Sequence, residues 1–379
     1  MTRTLLLLSL SLGGCAAPEM AGYFNTLAVD AGVDGLSAAE ELAGVIDAAQ
    51  TEVAVALPAL EEEVLTDAIV AAWDRGVDVR VVSDIDRSAD PGILALQEAG
   101  VPLQLGCDEV SYHDYAIDST VSWPAESVRM SHAFAVADQR EVAVASEAGS
   151  LTEGDRVVFS LSSVDLAQDL LGEFTQVYGG TDASSLTAFS SLAKSMTDAR
   201  WHYPTQSDVI LSTFFGPQER LVKRVTDAVY GAKASVWILT GDLADEGLAR
   251  ALQAKAARGF DVKVVVGGGF GRSAPAISDT FATQTPDVLK YVVPELELVP
   301  TIVLVDYALD RNGDRRMGRG MVLSHDLLSA SRLYYSTTIP TDQLIDGTMM
   351  VLEDPNGPSD PLLQLLDVVQ SHRDLAEEL

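Results

Sequence analysis

Val64-Leu-Thr-Asp-Ala-Ile-Val-Ala-Ala-Trp-Asp-Arg-Gly-Val-Asp-Val-Arg-Val-Val82 and Gly247-Leu-Ala-Arg-Ala-Leu-Gln-Ala-Lys-Ala-Ala-Arg-Gly-Phe-Asp-Val-Lys-Val-Val-Val266 have one pattern between them. Apolar residues recur at helical spacing on Leu65, Ile69, Ala72 and Trp73, and again on Leu248, Ala251, Leu252 and Ala256, with Lys255 on the same face. The periodicity stops at Gly76 and Gly259, where glycine suits the left-handed turn that ends a helix. A valine-rich run follows at once and reads as a buried strand. Upstream, Val45-Ile-Asp-Ala-Ala-Gln-Thr-Glu-Val-Ala-Val-Ala-Leu57 and Val225-Thr-Asp-Ala-Val-Tyr-Gly-Ala-Lys-Ala-Ser-Val-Trp-Ile-Leu239 each read as a helix running into another buried strand. Helix, strand, helix, strand therefore occurs twice, roughly 180 residues apart, which is the period of a domain duplication rather than a solenoid. Such alternation predicts an α/β fold: two repeats, each a mostly parallel or mixed sheet flanked by helices, packed as a pseudo-twofold unit.

The chain has 379 residues, enough for two such units, and its 47% hydrophobic content excludes wholesale disorder. Charge narrows the partners. With 56 acidic against 25 basic residues the net charge is −31, which repels nucleic-acid backbones, so no nucleic-acid partner is expected. Lysine is scarce: six in all, the first at Lys194.

Residues 1–15 read Met-Thr-Arg-Thr-Leu-Leu-Leu-Leu-Ser-Leu-Ser-Leu-Gly-Gly-Cys. Arg3 precedes an apolar run from Leu5 to Leu12, too short to span a bilayer and suited to a secretory signal. Leu12-Gly-Gly-Cys15 resembles the lipobox of bacterial lipoproteins, in which the cysteine is acylated and becomes a membrane anchor. By that resemblance Ala16 points to the outer membrane of the cell envelope. The expected organisation is a signal peptide at 1–14, a lipidated Cys15 and tether over 15–36, a first repeat at 37–178, a linker at 179–206 carrying Gly179-Gly-Thr-Asp-Ala-Ser-Ser, and a second repeat at 207–379. Cys107 alone remains after Cys15, so no internal disulfide is expected. The two repeats would form an intramolecular pseudo-dimer in a monomeric chain.

Further landmarks follow the repeats in order: Gln97-Glu-Ala-Gly-Val-Pro102, Met130-Ser-His-Ala-Phe-Ala-Val-Ala-Asp138 and Val144-Ala-Ser146, then Ser207-Asp-Val-Ile-Leu-Ser-Thr-Phe-Phe-Gly-Pro217, Leu298-Val-Pro-Thr-Ile-Val-Leu-Val-Asp306 and Val322-Leu-Ser324. With Arg75-Gly-Val-Asp-Val-Arg80 and Arg258-Gly-Phe-Asp-Val-Lys263, this series resembles the phospholipase D superfamily over residues 37–370. The resemblance implies a duplicated phospholipase D-like fold with an H-x-K-x4-D motif in each half. There one His attacks phosphorus, the other protonates the leaving oxygen, and the two Lys neutralise the phosphoryl group.

This chain departs from that pattern. The residues two places after its five His are Tyr115, Phe134, Pro204, Leu327 and Asp374, so no H-x-K exists. Aligned on the strand core, the His and Lys slots hold Ser131 and Ala133 in the first half and Val299 and Thr301 in the second. The Asp slots survive as Asp138 and Asp306, and the serines of the following strands as Ser146 and Ser324. Family pairing of the halves implies that Ser131, Asp138, Val299 and Asp306 converge at a central cleft. His132, one place from the family's His, is the one substitute nucleophile, although strand alternation should turn it away from that cleft. Ser131 has no neighbouring base that the sequence dictates.

Three other motifs weaken on inspection. Gly269-Phe-Gly-Arg-Ser-Ala274 imitates a dinucleotide loop, but Pro275 interrupts the helix it must open. Asp310-Arg-Asn-Gly-Asp314 imitates a calcium loop but lacks its glycine and its final Glu; Asn312-Gly313 reads instead as a hairpin. No Cys/His cluster has zinc spacing. Neither cofactor nor metal is expected. The leading reading is a membrane-anchored lipoprotein whose degenerate domain binds or scaffolds, with an unidentified protein or small-molecule partner. The alternatives are a phosphodiesterase using substituted residues around His132, and a structural envelope protein without ligand.

Overall fold

The structure is a computed structural model that describes residues 27–105, 109–114, 119–124, 128–178, 209–216, 219–243, 245–267, 289–292, 299–307, 318–327, 344–354 and 359–378. Cys15, Cys107, the 179–206 linker, the 269–274 loop and the 310–314 hairpin signal lie outside them.

The first half runs β1 (Leu27–Val33), α1 (Gly35–Ala48), β2 (Glu52–Leu57), α2 (Glu63–Asp74), β3 (Asp78–Ser83), α3 (Pro91–Ala99) and β4 (Leu103–Leu105). A hairpin, β5 (Glu109–Asp114) with β6 (Ser119–Pro124), stands off the sheet. Then come β7 (Val128–Met130), β8 (Phe134–Ala137), β9 (Glu141–Ala145), β10 (Arg156–Ser162) and α4 (Val164–Tyr178). The second half has β11 (Ile210–Phe215), α5 (Leu221–Gly231), β12 (Ser235–Thr240), α6 (Glu246–Ala256), β13 (Asp261–Val266), β14 (Leu289–Val292), β15 (Thr301–Val305) and β16 (Gly318–Leu323). It closes with β17 (Leu344–Asp346), β18 (Thr348–Asp354), α7 (Asp360–Leu375) and β19 (Glu377–Glu378).

Local chemistry sets the helix ends. Asp34 Oδ1 accepts from Ser37 N at 2.8 Å to cap α1, and Asp245 Oδ1 accepts from Leu248 N at 2.7 Å to cap α6. Gly76 and Gly259 follow α2 and α6 with φ of +84° and +77°, the left-handed turn that a side chain would resist.

The two sheets have the same strand order. The first is β1-β10-β9-β8-β2-β3-β4, and the second is β11-β18-β16-β15-β12-β13-β14, with β19 added at its edge. Strand for strand, this is one topology used twice. The parallel content, however, is lower than the repeat pattern suggests. Within these two sheets only β2–β3–β4 and β12–β13–β14 are parallel, with α2, α3 and α6 crossing over between β2 and β3, β3 and β4, and β12 and β13; the remaining neighbours are antiparallel. The reason lies in the turns. Asp138 and Gln139 have φ of +50° and +56°, and Arg140 N bonds Ala137 O at 3.0 Å, so β8 reverses directly into β9.

The tether boundary also shifts. Residues 27–36 are folded rather than part of a tether, because β1 pairs antiparallel with β10, Leu27 opposite Leu161 and Val29 opposite Phe159. An edge strand with one solvated face has no need of a strong apolar pattern, which is why Leu27-Ala-Val-Asp-Ala-Gly-Val33 looked like linker.

Strand alternation sorts the core into layers. In β2, Val53, Val55 and Leu57 face α1 and α2, while Ala54 and Ala56 face inward. In β15, Val303 and Val305 face α5 and α6, while Ile302 and Leu304 face inward. The inward faces of both sheets share one apolar cluster with Leu170 and Phe174 of α4 and Leu362 and Leu365 of α7. Two helices are therefore buried between two sheets, and a further helical layer covers each outer face. Main-chain pairing also joins the halves: β7 runs parallel to β17, Met130 opposite Asp346.

Candidate functional site

The motif slots lie where β8 and β15 begin, and the two halves meet there. Ser131 Oγ is 3.1 Å from Ser324 Oγ, one hydroxyl from each half. Gly347 is pressed against both: a Cβ there would lie 2.6 Å from Ser131 Oγ and 2.8 Å from Ser324 Oγ. His325 Cδ2 would be 2.7 Å from the same Cβ. Burial lowers the His325 pKa, and the nearby His132 adds to that; the main-chain carbonyl of Asp326 opposes both. Its Nδ1 is 2.7 Å from that carbonyl oxygen.

The two Lys slots are filled in different ways. Ala133 is buried in the core under α1 and α2. Thr301 meets Thr240, hydroxyl to hydroxyl at 3.1 Å, and donates to Asp326 Oδ1 at 3.4 Å. Asp326 Oδ1 also accepts from Gly241 N at 2.7 Å and from Thr240 Oγ1 at 3.2 Å. Burial raises the Asp326 pKa against these hydrogen bonds. A carboxyl thus occupies the space beside a slot where phosphoryl transfer would need a cation. Val299, in the second His slot, packs against Gly267, whose added Cβ would lie 2.5 Å from Val299 Cγ2.

His132 turns into the shared core. It is 0% exposed, edge-on to Phe134 and Phe215, with Nδ1 2.7 Å from Thr348 Oγ1 and Nε2 3.5 Å from Glu173 Oε1. Hydroxyl, imidazole and carboxylate follow one another in the order of a nucleophile triad. With Thr348 at 2% and Glu173 at 0% exposure, no substrate reaches it. The imidazole thereby clamps α4 of the first half to the start of β18 in the second. Glu219 lies close by: burial raises its carboxyl to about 7, Glu173 and Asp169 add to that, and the hydrogen bond from Phe215 N at 2.6 Å and the Arg224 charge oppose it.

The surviving motif residues are structural and occur in matched pairs. Ser146 Oγ accepts from Val157 N at 3.1 Å, and Ser324 Oγ accepts from Thr348 N at 2.9 Å, the same joint in each half. Asp138 and Asp306 correct the expected convergence, for they sit at the far ends of their strands, away from Ser131 and Val299. Asp138 accepts from the main-chain N–H groups of Gln50, Thr51 and Glu52 and from the Thr51 hydroxyl; Asp306 accepts from those of Lys233, Ala234 and Ser235. Each carboxylate ties the end of its own strand, β8 or β15, to the start of the adjacent central strand, β2 or β12.

A pH dependence follows. Desolvation would raise the Asp138 pKa, but the four donors outweigh it and hold it at about 2, below its ordinary 3.8. A folded-state pKa below the unfolded one gives stability that is present above about pH 4 and lost as pH falls through about 2. Asp138→Ala should cost about 1–2 kcal/mol at pH 7, and much less at pH 2, by denaturant titration. An equal cost at both pH values would remove the carboxylate's role.

Sequence reading missed Thr348, Glu173, Asp326 and Gly347. One signal was available: Asp169 and Glu173 stand four apart on the apolar face of α4 that carries Leu166, Leu170, Phe174 and Val177. Carboxylates there require partners.

No protein-family model matches the chain, and no curated protein does. Solved structures do. The polyphosphate kinase of Porphyromonas gingivalis superposes with a TM-score of 0.54 at 11% identity, over 92% of this chain and 50% of the kinase. This chain thus spans about half of that enzyme. The phosphatidylserine synthase of Haemophilus influenzae Rd KW20 superposes with a TM-score of 0.58 at 11% identity, over 93% and 87%. Nuc, a phospholipase D family member from Salmonella typhimurium, matches 40% of this chain at 19% identity with a TM-score of 0.30. The class is an α/β protein of two matched sheets. More particularly, the chain has a duplicated phospholipase D-like fold. At such identities the likeness carries the architecture, and the chemistry rests with the residues of the cleft.

Proposed function

We propose that this chain is a catalytically degenerate phospholipase D-like protein, exported to a bacterial cell envelope, anchored through acylated Cys15, and acting there as a binding or scaffolding module. The observation that carries the reading is the occupancy of the four motif slots by Ser131, Ala133, Val299 and Thr301. None of these can protonate a leaving oxygen or neutralise a phosphoryl group. Asp326 beside Thr301 makes the deficit worse, since it puts a carboxyl where the reaction needs positive charge. A ligand for such a cleft is neutral, cationic or a protein. The outer-membrane address rests on Ala16 after Cys15.

The competing reading, a phosphodiesterase with substituted residues, is favoured only by the Thr348–His132–Glu173 order, and burial removes it from substrate. The test is turnover. Purified protein should hydrolyse bis-aryl phosphates and phospholipid vesicles no faster than buffer, across pH 5–9. Hydrolysis that survives further purification and saturates with substrate would overturn the degenerate reading.

A further inference from the structure

Away from the cleft, a groove of ≈ 910 Å³ runs between α1, α2 and the segment Ser150–Arg156. Glu62 lines it, at the N-terminus of α2, 5% exposed, with Oε2 lacking any hydrogen-bond partner. A buried carboxylate oxygen without a donor is costly, so its position on the wall of a groove calls for a ligand that brings one.

The groove's own cation does not supply it. Arg156 lines the groove beside Glu62, both against Gly35, but its Nε and one terminal nitrogen engage Glu147 Oε2 at 3.0 and 2.9 Å. Its other donors go to the carbonyls of Gly154 at 2.5 Å and Thr152 at 2.6 Å. Four of the guanidinium's five N–H donors are thus used within its own loop. Asp34, Asp47, Glu63, Asp67 and Glu153 complete the charged lining, with Arg75 3.9 Å from Asp47.

Between the charges the wall is hydrocarbon. Val64, Ala68 and Ala71 present one face of α2 at i, i+4 and i+7, and Leu36 and Leu151 stand at the rim 58% and 70% exposed. From Glu62 to Ala71 the wall extends about 13 Å at the helical rise. Among the described residues no group of three or more Asp, Glu, His or Cys is placed to share a metal ion. Glu62, Glu63 and Asp67 succeed one another along the start of α2 beside Val64, Ala68 and Ala71, which suits charges separated by methylenes.

We propose that this groove binds linear aliphatic polyamines, one terminal ammonium donating to Glu62 and the methylene segments lying on Val64, Ala68 and Ala71. The site is independent of the phospholipase D-like cleft and of any chemistry there. Burial raises the Glu62 carboxyl to about 7, with Glu147, Asp34 and Glu61 adding to it and Arg156 opposing. Binding therefore strengthens as pH rises from 6 to 8, by about tenfold for one group of that pKa.

The test is calorimetric titration of the full-length protein, in detergent, with spermidine. Saturable binding is expected at pH 8, about tenfold weaker at pH 6. Glu62→Gln should weaken it at least tenfold, and Ala71→Trp, an exposed helix position that fills the groove, should block it. Glu98→Gln, an exposed acid on α3, should leave it unchanged. If Glu62→Gln does not fold, the Ala71→Trp and pH arms decide. Three results overturn the proposal: equal binding by Ala71→Trp, magnesium displacing spermidine at equal concentration, and n-butylamine binding as tightly as spermidine. The first two would mean that spermidine only joins the counterions of a −31 surface, the third that no length is read.

Discussion

His132→Ala protein should unfold at a lower denaturant concentration than the parent, with about 3–5 kcal/mol of stability lost, and phosphodiester turnover should be the same in both. The loss has two sources. The imidazole fills space between Phe134 and Phe215, and a truncated buried ring leaves a cavity that the two sheets cannot close. Its nitrogens also meet Thr348 Oγ1 at 2.7 Å and Glu173 Oε1 at 3.5 Å, so truncation takes a partner from each of two buried polar groups. Because these contacts span 216 positions of chain and both halves, the cost falls on the union of the repeats. His132→Gln, which keeps a donor and an acceptor, should recover part of it. A midpoint shift worth under about 0.5 kcal/mol would dismiss the clamp. Turnover in the parent that disappears in the Ala variant would restore His132 as a nucleophile.

The duplication was legible because its evidence is local. Helical spacing on Leu65, Ile69 and Ala72, a stop at Gly76 and a valine run after it each reflect interactions within a few residues, and the second copy at Leu248, Leu252 and Gly259 repeats them. Strand direction was less legible. Phe134-Ala-Val-Ala137 and Glu141-Val-Ala-Val-Ala145 are apolar on both faces, as parallel strands also are, and only the two-residue turn at Asp138 and Gln139 makes them antiparallel. Least legible was the junction. Nothing near His132 names Thr348, and nothing near Thr301 names Asp326, since folding brings these pairs together from distant stretches.

The matched and unmatched positions divide by energetics. Asp138 with Asp306, and Ser146 with Ser324, hold strand ends by accepting hydrogen bonds from main-chain N–H groups, the same bonds in both halves. The cleft positions carry no such duty. Ser131, Ala133, Val299 and Thr301 are accommodated by different local packing in each half, with Ser131 against a hydroxyl, Thr301 on a carboxyl and Val299 on a glycine.

Replacing Cys15 with Ser should move nearly all of the protein from the membrane pellet to the soluble exported fraction and abolish labelling by radioactive fatty acid. The expected effect is large because hydrophobic anchoring scales with chain count. Each buried methylene is worth about 0.8 kcal/mol; one acyl chain holds a protein only marginally, whereas two or more hold it through repeated washing. Nothing else described in the chain offers a comparable hold. No described helix is long and apolar enough to cross a membrane, and a surface of −31 gains nothing from anionic headgroups. The apolar run Leu5–Leu12 is too short to span on its own, but an uncleaved leader in the variant could still retard it. The N-terminal mass of the variant separates these cases. A variant cleaved before residue 15, unlabelled, yet still pelleting after alkaline wash would place the anchor elsewhere and end the lipobox reading; a cleaved, unlabelled, soluble variant assigns the anchor to the Cys15 thiol.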